Sequence, residues 1–305
     1  MNPKEAYAAT LKEVKKRIAG KEDVIKQLFI ALVANGHALM EGVPGVAKTT
    51  MVKTLAEAIQ ASFGRVQGTP DLEFEDIIGH TVIEDGEIRL KRGQIFHNIL
   101  LVDELNRAPP KTTTALLEAL EERQVTVGDE TIPLEKLFIA LATQNPLNIE
   151  GTSPIPKVLA DRFIMRIAVD YPTMQEEQEM LRLKEGTEAQ INKVLSINDI
   201  LGMQAMVRDV KVSDNIIQFI TKVVDATRTD IHVVMGASPR AEIAFMRCSR
   251  AKALIEGRSE INMDDIKFLA RPVLSHRIVV RATGGVGVNG VIDGIIAQTS
   301  RQAAQ

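Results

Sequence analysis

One pair of segments constrains this chain more than any other feature. The loop Gly42-Val43-Pro44-Gly45-Val46-Ala47-Lys48-Thr49 lies between the apolar run Ala38-Leu39-Met40 and a helix-like stretch over residues 49–58. Far enough along for one β-strand to lie beside another comes Ile99-Leu100-Leu101-Val102-Asp103-Glu104. A glycine-bearing loop that opens a helix brings backbone N–H groups together at the positive end of the helix, which suits a phosphate. In such a loop Lys48 reaches the β- and γ-phosphates of a nucleotide and the Thr49 hydroxyl holds Mg²⁺, while Gly42, Val43, Pro44, Gly45, Val46, Ala47 and Thr50 complete the cradle. The pattern asks for glycine before the lysine, and this chain has Ala47. Alanine tolerates most helical geometry, so a mild departure is expected. Taken alone, the loop also reads as a structural turn.

The second segment decides between those readings. Four apolar residues followed by two acids read as a buried strand whose last residues emerge at its carboxyl end, where α/β folds bind ligands. Asp103 is then the carboxylate on the Mg²⁺ side, and Glu104 the general base that orients the attacking water. The pair together predicts a site that binds and hydrolyses ATP.

A chain of 305 residues has room for about two domains of roughly 100–200 residues each. With 45% hydrophobic and 25% charged residues it has the composition of a soluble globular protein. No apolar run approaches the ~18–20 residues of a membrane span, and the start Met1-Asn2-Pro3-Lys4-Glu5 has no signal-peptide core, so no membrane insertion and a cytoplasmic setting are expected. The single cysteine, Cys248, excludes an intrachain disulfide and reads as a small buried hydrophobe. A net charge of −3 argues against coating nucleic acid by charge alone. The five histidines show no metal-ligand spacing.

Tyr7, Leu11, Val14 and Ile18 share one helical face, and Ile25, Leu28, Phe29 and Leu32 another, before the first strand. Further strands are predicted over 65–67, 137–142 and 163–169, with a helix over 113–123, an alternation that a parallel α/β sheet requires. After Asp170-Tyr171-Pro172 the texture becomes helical, with helices over 174–184, 213–229, 239–256 and 262–274, Ser213 and Asn262 as caps and Gly257 as a stop. The predicted organisation is an α/β nucleotide-binding core over 1–170, a small all-α domain over 171–280, and a glycine-rich turn with a C-terminal tail over 281–305. Within the tail, Gly285-Val286-Gly287-Val288-Asn289-Gly290 matches a dinucleotide-binding spacing. It lacks a following strand and acid, since the chain ends 15 residues later, and reads instead as a turn before a helix over 291–300.

These motifs resemble those of the MoxR-type AAA+ ATPases, relatives of magnesium-chelatase motor subunits and replicative helicases. The likeness rests on the loop from Glu41 to Thr49, its alanine included, and on the run Asp103-Glu104-Leu105-Asn106-Arg107-Ala108-Pro109-Pro110-Lys111. It implies an AAA+ P-loop core with a parallel sheet, followed by a small helical lid. It also implies roles that spacing alone leaves open. Asn145 in Ala142-Thr143-Gln144-Asn145-Pro146 resembles a sensor of the γ-phosphate or its attacking water; read alone it is an asparagine in a turn. Arg162 in Leu159-Ala160-Asp161-Arg162-Phe163 resembles an arginine finger for a neighbouring subunit; read alone, Asp161 and Arg162 form a surface ion pair. Arg240 in Ser238-Pro239-Arg240 resembles a lid sensor that brings positive charge to the phosphates; read alone, it is an arginine at a helix terminus. Ile18 and Ala19 would lie near adenine through their backbone.

The resemblance further implies a homo-oligomeric ring, a hexamer, acting as a chaperone-like remodelling or assembly factor on a protein client or in metal or cofactor insertion, with a von Willebrand factor A-domain partner. The alternatives are a nucleic-acid-translocating motor and a nucleotide-gated scaffold with little turnover. Two inserted hairpins are expected over 82–90, with an Asp85-Gly86 turn, and 125–132. The basic residues Arg89, Lys91 and Arg92 of the first read either as a client contact or as a solvated face.

Overall fold

The structure, a computed structural model, describes residues 1–84, 87–128, 130–145, 153–187, 189–281 and 286–303. Helices α1 (Pro3–Val14) and α2 (Glu22–Val33) precede β1 (Ala38–Glu41) and α3 (Lys48–Ala58). Then follow β2 (Phe63–Gln67), the short α4 (Phe74–Ile78), β3 (Gly79–Glu84), β4 (Glu87–Arg92), β5 (Ile99–Asp103) and α5 (Pro110–Glu122). The α/β part continues with β6 (Gln124–Val127), β7 (Glu130–Pro133), β8 (Ile139–Gln144), the short α6 (Lys157–Ala160) and β9 (Met165–Ala168). The rest is α7 (Met174–Glu185), α8 (Ile197–Met206), α9 (Asp214–Thr229), β10 (Val233–Met235), α10 (Pro239–Ile255), α11 (Met263–Leu274), β11 (Val279–Val280) and α12 (Val288–Ala303).

The expected parallel sheet forms, in the order β2-β5-β8-β1-β9, every pairing parallel. Its strands are buried on both faces and read as near-continuous apolar runs. Their alternation sorts them cleanly. Ala38, Met40, Ile99, Leu101, Ile139 and Leu141 enter one core with α1, α2 and α3. Leu39, Leu100, Val102, Ala140 and Ala142 enter the other with α4 and α5. Sheet order places β1 and β5 on either side of β8, so the ends of all three strands converge where the phosphate loop and the acidic pair emerge.

Both hairpins form, β3 with β4 from Gly79↔Arg92 to Glu84↔Glu87, and β6 with β7 from Gln124↔Pro133 to Val127↔Glu130. The turn residues Asp85 and Gly86, and Asp129 of the second hairpin, lie outside the described residues. Asn262 caps α11 as expected, its Oδ1 accepting from the Asp265 N–H at 3.0 Å, whereas Ser213 sits at the start of α9 without a side-chain cap bond. Gly257 ends α10 in the left-handed region at φ 77°. The helical part is not purely helical, because β11 pairs antiparallel with β10. The helix expected over 291–300 forms as part of α12, with Val291, Ile292 and Ile295 buried in the core shared with α9, α10 and α11. Residues 282–285 of the glycine-rich stretch, including Gly285 of the dinucleotide-like spacing, lie outside the described residues. Among the described residues no helix is long and apolar enough to cross a membrane.

Two buried histidines tie the sheet to its neighbours. His37 Nδ1 accepts from the Ala140 N–H at 2.9 Å, so Nε2 carries the proton and donates to the Leu120 carbonyl at 3.1 Å. Burial, aided by the Arg123 charge, pushes His37 down to about 3. His276 donates from Nε2 to the Phe163 carbonyl at 2.9 Å and is likewise held well below its ordinary value by burial. Both folded-state pKa values lie below the unfolded value near 6.5, so this stability is complete above that pH and is lost as pH falls below it, for His37 at about 1.4 kcal/mol per pH unit down to about 3. The urea midpoint is expected to drop steeply between pH 6.5 and 5, with a shallower slope in His37→Gln; a flat midpoint would contradict this linkage.

Candidate active site

At the end of β5 opens a cleft of about 460 Å³ lined by the phosphate loop from Pro44 to Thr50, by Asp103, Glu104 and Asn145, and by Ile18 and Ala19. That size falls within the roughly 300–1,000 Å³ usual for small-molecule sites. Most of the sequence-derived site residues therefore meet in one place. Gly42 leaves β1 where a Cβ would stand 2.3 Å from the Val169 carbonyl oxygen, so only glycine fits. Gly42→Ala is expected to cost about 1–3 kcal/mol in denaturant midpoint through this overpacking; an unchanged midpoint would mean that the β9 end yields freely.

Within the loop Gly45 and Ala47 are both left-handed, at φ 84° and 59°. The expectation for Ala47 is thereby corrected. It is not in helical geometry but caps α3 in a region where an L side chain costs about 1–2 kcal/mol, so the loop carries local strain. Lys48 folds back, donating from Nζ to the Val43 carbonyl at 2.9 Å and also to that of Gly42. Burial holds its ammonium below the usual lysine range, against the pull of Asp103 and Glu104.

Asp103, only 7% exposed, is the best-satisfied acid of the cleft. It accepts from Thr49 Oγ1 at 2.8 Å, from Thr143 Oγ1 at 2.7 Å and from the Arg65 guanidinium at 2.8 and 3.1 Å. The Asp103 carboxylate and the Thr49 hydroxyl, in hydrogen-bond contact, are hard oxygen donors of the kind Mg²⁺ takes, and the Arg65 guanidinium holds the carboxylate oxygen that such a cation would claim. Glu104 is left-handed at φ 54°. Its N–H donates to Thr143 Oγ1 at 2.8 Å, and its carboxylate accepts from Arg107 at 2.9 Å. Thr143 thus links the Asp103 carboxylate to the Glu104 backbone, which sequence spacing had not revealed. Arg65, Gln67, Met180 and Lys184 also line the cleft without having been foreseen; a polar Arg65-Val66-Gln67 run beside an acid-ended strand was the one available signal.

Arg162 and Arg240 do not line this cleft. They meet in a second one, lined also by Glu121, Arg123, Arg247 and Arg277. Both guanidiniums share the Glu121 carboxylate, Arg240 at 2.8 Å and Arg162 through two donors. Glu121 is accordingly held below the ordinary carboxylate range, first by Arg162 and then by Arg240. Asp161 does not pair with Arg162. It accepts from Arg277 Nε at 2.9 Å and Ser238 Oγ at 2.9 Å, because Arg277 lies buried beneath it. Pro146 lies outside the described residues.

Residues 37–165 match the ATPase family associated with various cellular activities (AAA), and residues 225–289 match the AAA lid domain. The chain is 38% identical over 279 residues to Chaperone MoxR1 of Mycobacterium tuberculosis, covering 88% of this chain and 74% of the relative. It is 39% identical over 274 residues to the uncharacterized protein YeaC of Bacillus subtilis, covering 88% and 86%. A crystal structure from Cytophaga hutchinsonii superposes with a TM-score of 0.90 at 36% identity, over 97% of this chain and 94% of that one.

Proposed function

Because the chain belongs to the MoxR family of AAA+ ATPases, we propose that it hydrolyses ATP in sites completed between neighbouring copies, and that the hydrolysis drives chaperone-like remodelling of a protein client. The observation that carries the reading is the separation of the charges. Lys48, Thr49, Asp103, Glu104 and Asn145 share one cleft, while Arg162 and Arg240 stand together in another. A cationic pair held on a half-exposed glutamate, away from its own chain's phosphate loop, suits the phosphates of a second copy.

In this reading the loop N–H groups and Lys48 bind the phosphates, Ile18 and Ala19 border the adenine, and Glu104 takes the proton of the attacking water that Asn145 orients. Thr49 and Asp103 would hold Mg²⁺, which supplies neutralisation of phosphate charge. Arg162 and Arg240 of the next copy stabilise the charge that develops on the γ-phosphoryl group. The assembly is a ring, a hexamer, with the core over 1–170 and the lid over 171–280 as its moving parts and a von Willebrand factor A-domain protein as adaptor. On the first hairpin Arg89 pairs with Glu87 at 3.2 Å and Arg92 lies 5.1 Å over the Phe96 ring. These partners favour a structured face over a nucleic-acid grip.

The test is ATP turnover per subunit across a wide range of protein concentration, with mass measured in parallel. A specific rate that climbs as the ring forms supports sites shared between copies. A flat, measurable rate from a chain that stays monomeric overturns it.

A further inference from the structure

A cavity of about 250 Å³ lies where the helical part meets the α/β core. The core contributes Asn106, Gln144, Lys157 and Arg166 to its wall, and the stretch just after α11 contributes Ser275 and His276. Two polar atoms of these residues are buried without a hydrogen-bond partner, His276 Nδ1 and Asn106 Oδ1. Leaving such atoms unpaired is costly, so two acceptors on one small cavity call for a ligand that brings donors. His276 is only 5% exposed. Its Nε2–H is committed to the Phe163 carbonyl, which makes Nδ1 the accepting nitrogen. Burial keeps the ring neutral, so the imidazole does not supply the missing proton itself.

The charge of the cavity sets the rest of the ligand. Lys157 and Arg166 face it, and among the described residues no carboxylate lines it. Arg166 is balanced by Glu41 at 3.2 Å, and the Gln144 amide also donates to Glu41. Lys157 makes no ion pair among the described residues, and partial burial together with the Arg166 charge holds its ammonium below the usual lysine range. Water satisfies an acceptor but leaves that ammonium uncompensated. Chloride and sulfate offer charge and no donor. Hydrogen phosphate offers both. The cavity is also close to where phosphate arises in the proposed reaction: Asn106 follows Glu104 by two residues, and Gln144, next to Asn145, lines both this cavity and the nucleotide cleft.

We propose that this cavity is a second phosphate site, which takes inorganic hydrogen phosphate with its P–OH donating to His276 Nδ1 and its charged oxygens facing Lys157 and Arg166. Bound there, the ion joins α6 of the core to the end of α11, so occupancy stiffens the junction between core and lid. The same ion has two sources, free phosphate in solution and the phosphate released in the neighbouring cleft. The second source rests on the ATPase reading above; the site itself does not.

The full chain is titrated calorimetrically with phosphate and, separately, with sulfate, as wild type, Lys157→Gln, His276→Gln and Lys48→Ala. Lys157 keeps part of its surface exposed, so Lys157→Gln carries the test even if His276→Gln fails to fold. Phosphate is expected to bind about tenfold more weakly to Lys157→Gln and His276→Gln, within about twofold of wild type to Lys48→Ala, and about tenfold or more tightly than sulfate to wild type. Hydrogen exchange of amides 275–281 is expected to slow with phosphate in wild type and not in Lys157→Gln. No phosphate binding, equal binding of sulfate, or a loss in Lys48→Ala that Lys157→Gln does not share, which puts the ion on the phosphate loop, overturns the proposal. The source is read in a single turnover of ATP, comparing total phosphate after acid quench with free phosphate in solution. Free phosphate that lags the total in wild type and not in Lys157→Gln identifies hydrolysis as the source, and coincident traces identify solution. A chain that binds phosphate but turns over no ATP overturns the ATPase reading and leaves the site standing.

Discussion

Replacing Arg162 with alanine is expected to lower steady-state ATP turnover by about 10³–10⁵-fold, corresponding to roughly 4–7 kcal/mol of barrier, with ADP affinity within a few-fold of wild type. The size follows from the role. A guanidinium that meets the transferring phosphoryl group contributes mainly in the transition state, so binding in the ground state is spared. The structure makes the variant a clean one. Arg162 shares Glu121 with Arg240, so its removal still leaves that carboxylate an ion-pair partner. Mixing decides the geometry: Arg162→Ala subunits keep an intact phosphate loop, and Lys48→Ala subunits keep an intact Arg162. If Arg162 works in a neighbour's site, a mixture of the two inactive variants regains turnover. If it works within its own chain, the mixture stays as inactive as its parts, and the shared-site reading fails.

Glu104→Gln carries the second large effect, a fall of about 10²–10⁴-fold in the hydrolysis step itself, read in a single turnover. The amide keeps the shape of the side chain and its donor-acceptor contact to Arg107, and glutamine meets the left-handed backbone at φ 54° no worse than glutamate does. Only the ability to accept a proton is lost. ATP is therefore expected to bind and persist, so that the variant accumulates bound triphosphate. A decrease of less than about tenfold would remove Glu104 from the role of base. Asp103 would not replace it, since in the same reading its carboxylate stands on the Mg²⁺ side with Thr49.

Those two residues show where the sequence was informative and where it was not. Glu104 was legible because the features that define it are contiguous: an apolar run buried on both faces, then acids at the strand's carboxyl end. The same locality made the phosphate loop, the sheet strands and both hairpins readable, with ends displaced by about two residues at β8 and β9. Ala47 was legible as a departure, but its cost was not, since φ depends on how the loop turns from β1 into α3. The role proposed for Arg162 came only through family resemblance. Its contacts were misjudged: adjacency to Asp161 suggested a pair, while the fold gives Asp161 to Arg277, which is 116 residues away.

By itself the sequence determined the α/β class, the alternation that sorts each strand between two cores, the phosphate loop with its acidic partner strand, and the helical character of the second half. Each is written in neighbouring residues, where periodicity and the intrinsic geometry of glycine, proline and the peptide group act directly. Only the tertiary structure decided that Thr143 bridges the Asp103 carboxylate and the Glu104 backbone, that Arg65 lies on Asp103, that Glu121 gathers Arg162 and Arg240, and that Glu176 fastens α7 to Lys21. Ion pairs and hydrogen bonds form over about 3 Å, and which charges come that close is set by packing elements far apart in the chain, which no local pattern encodes.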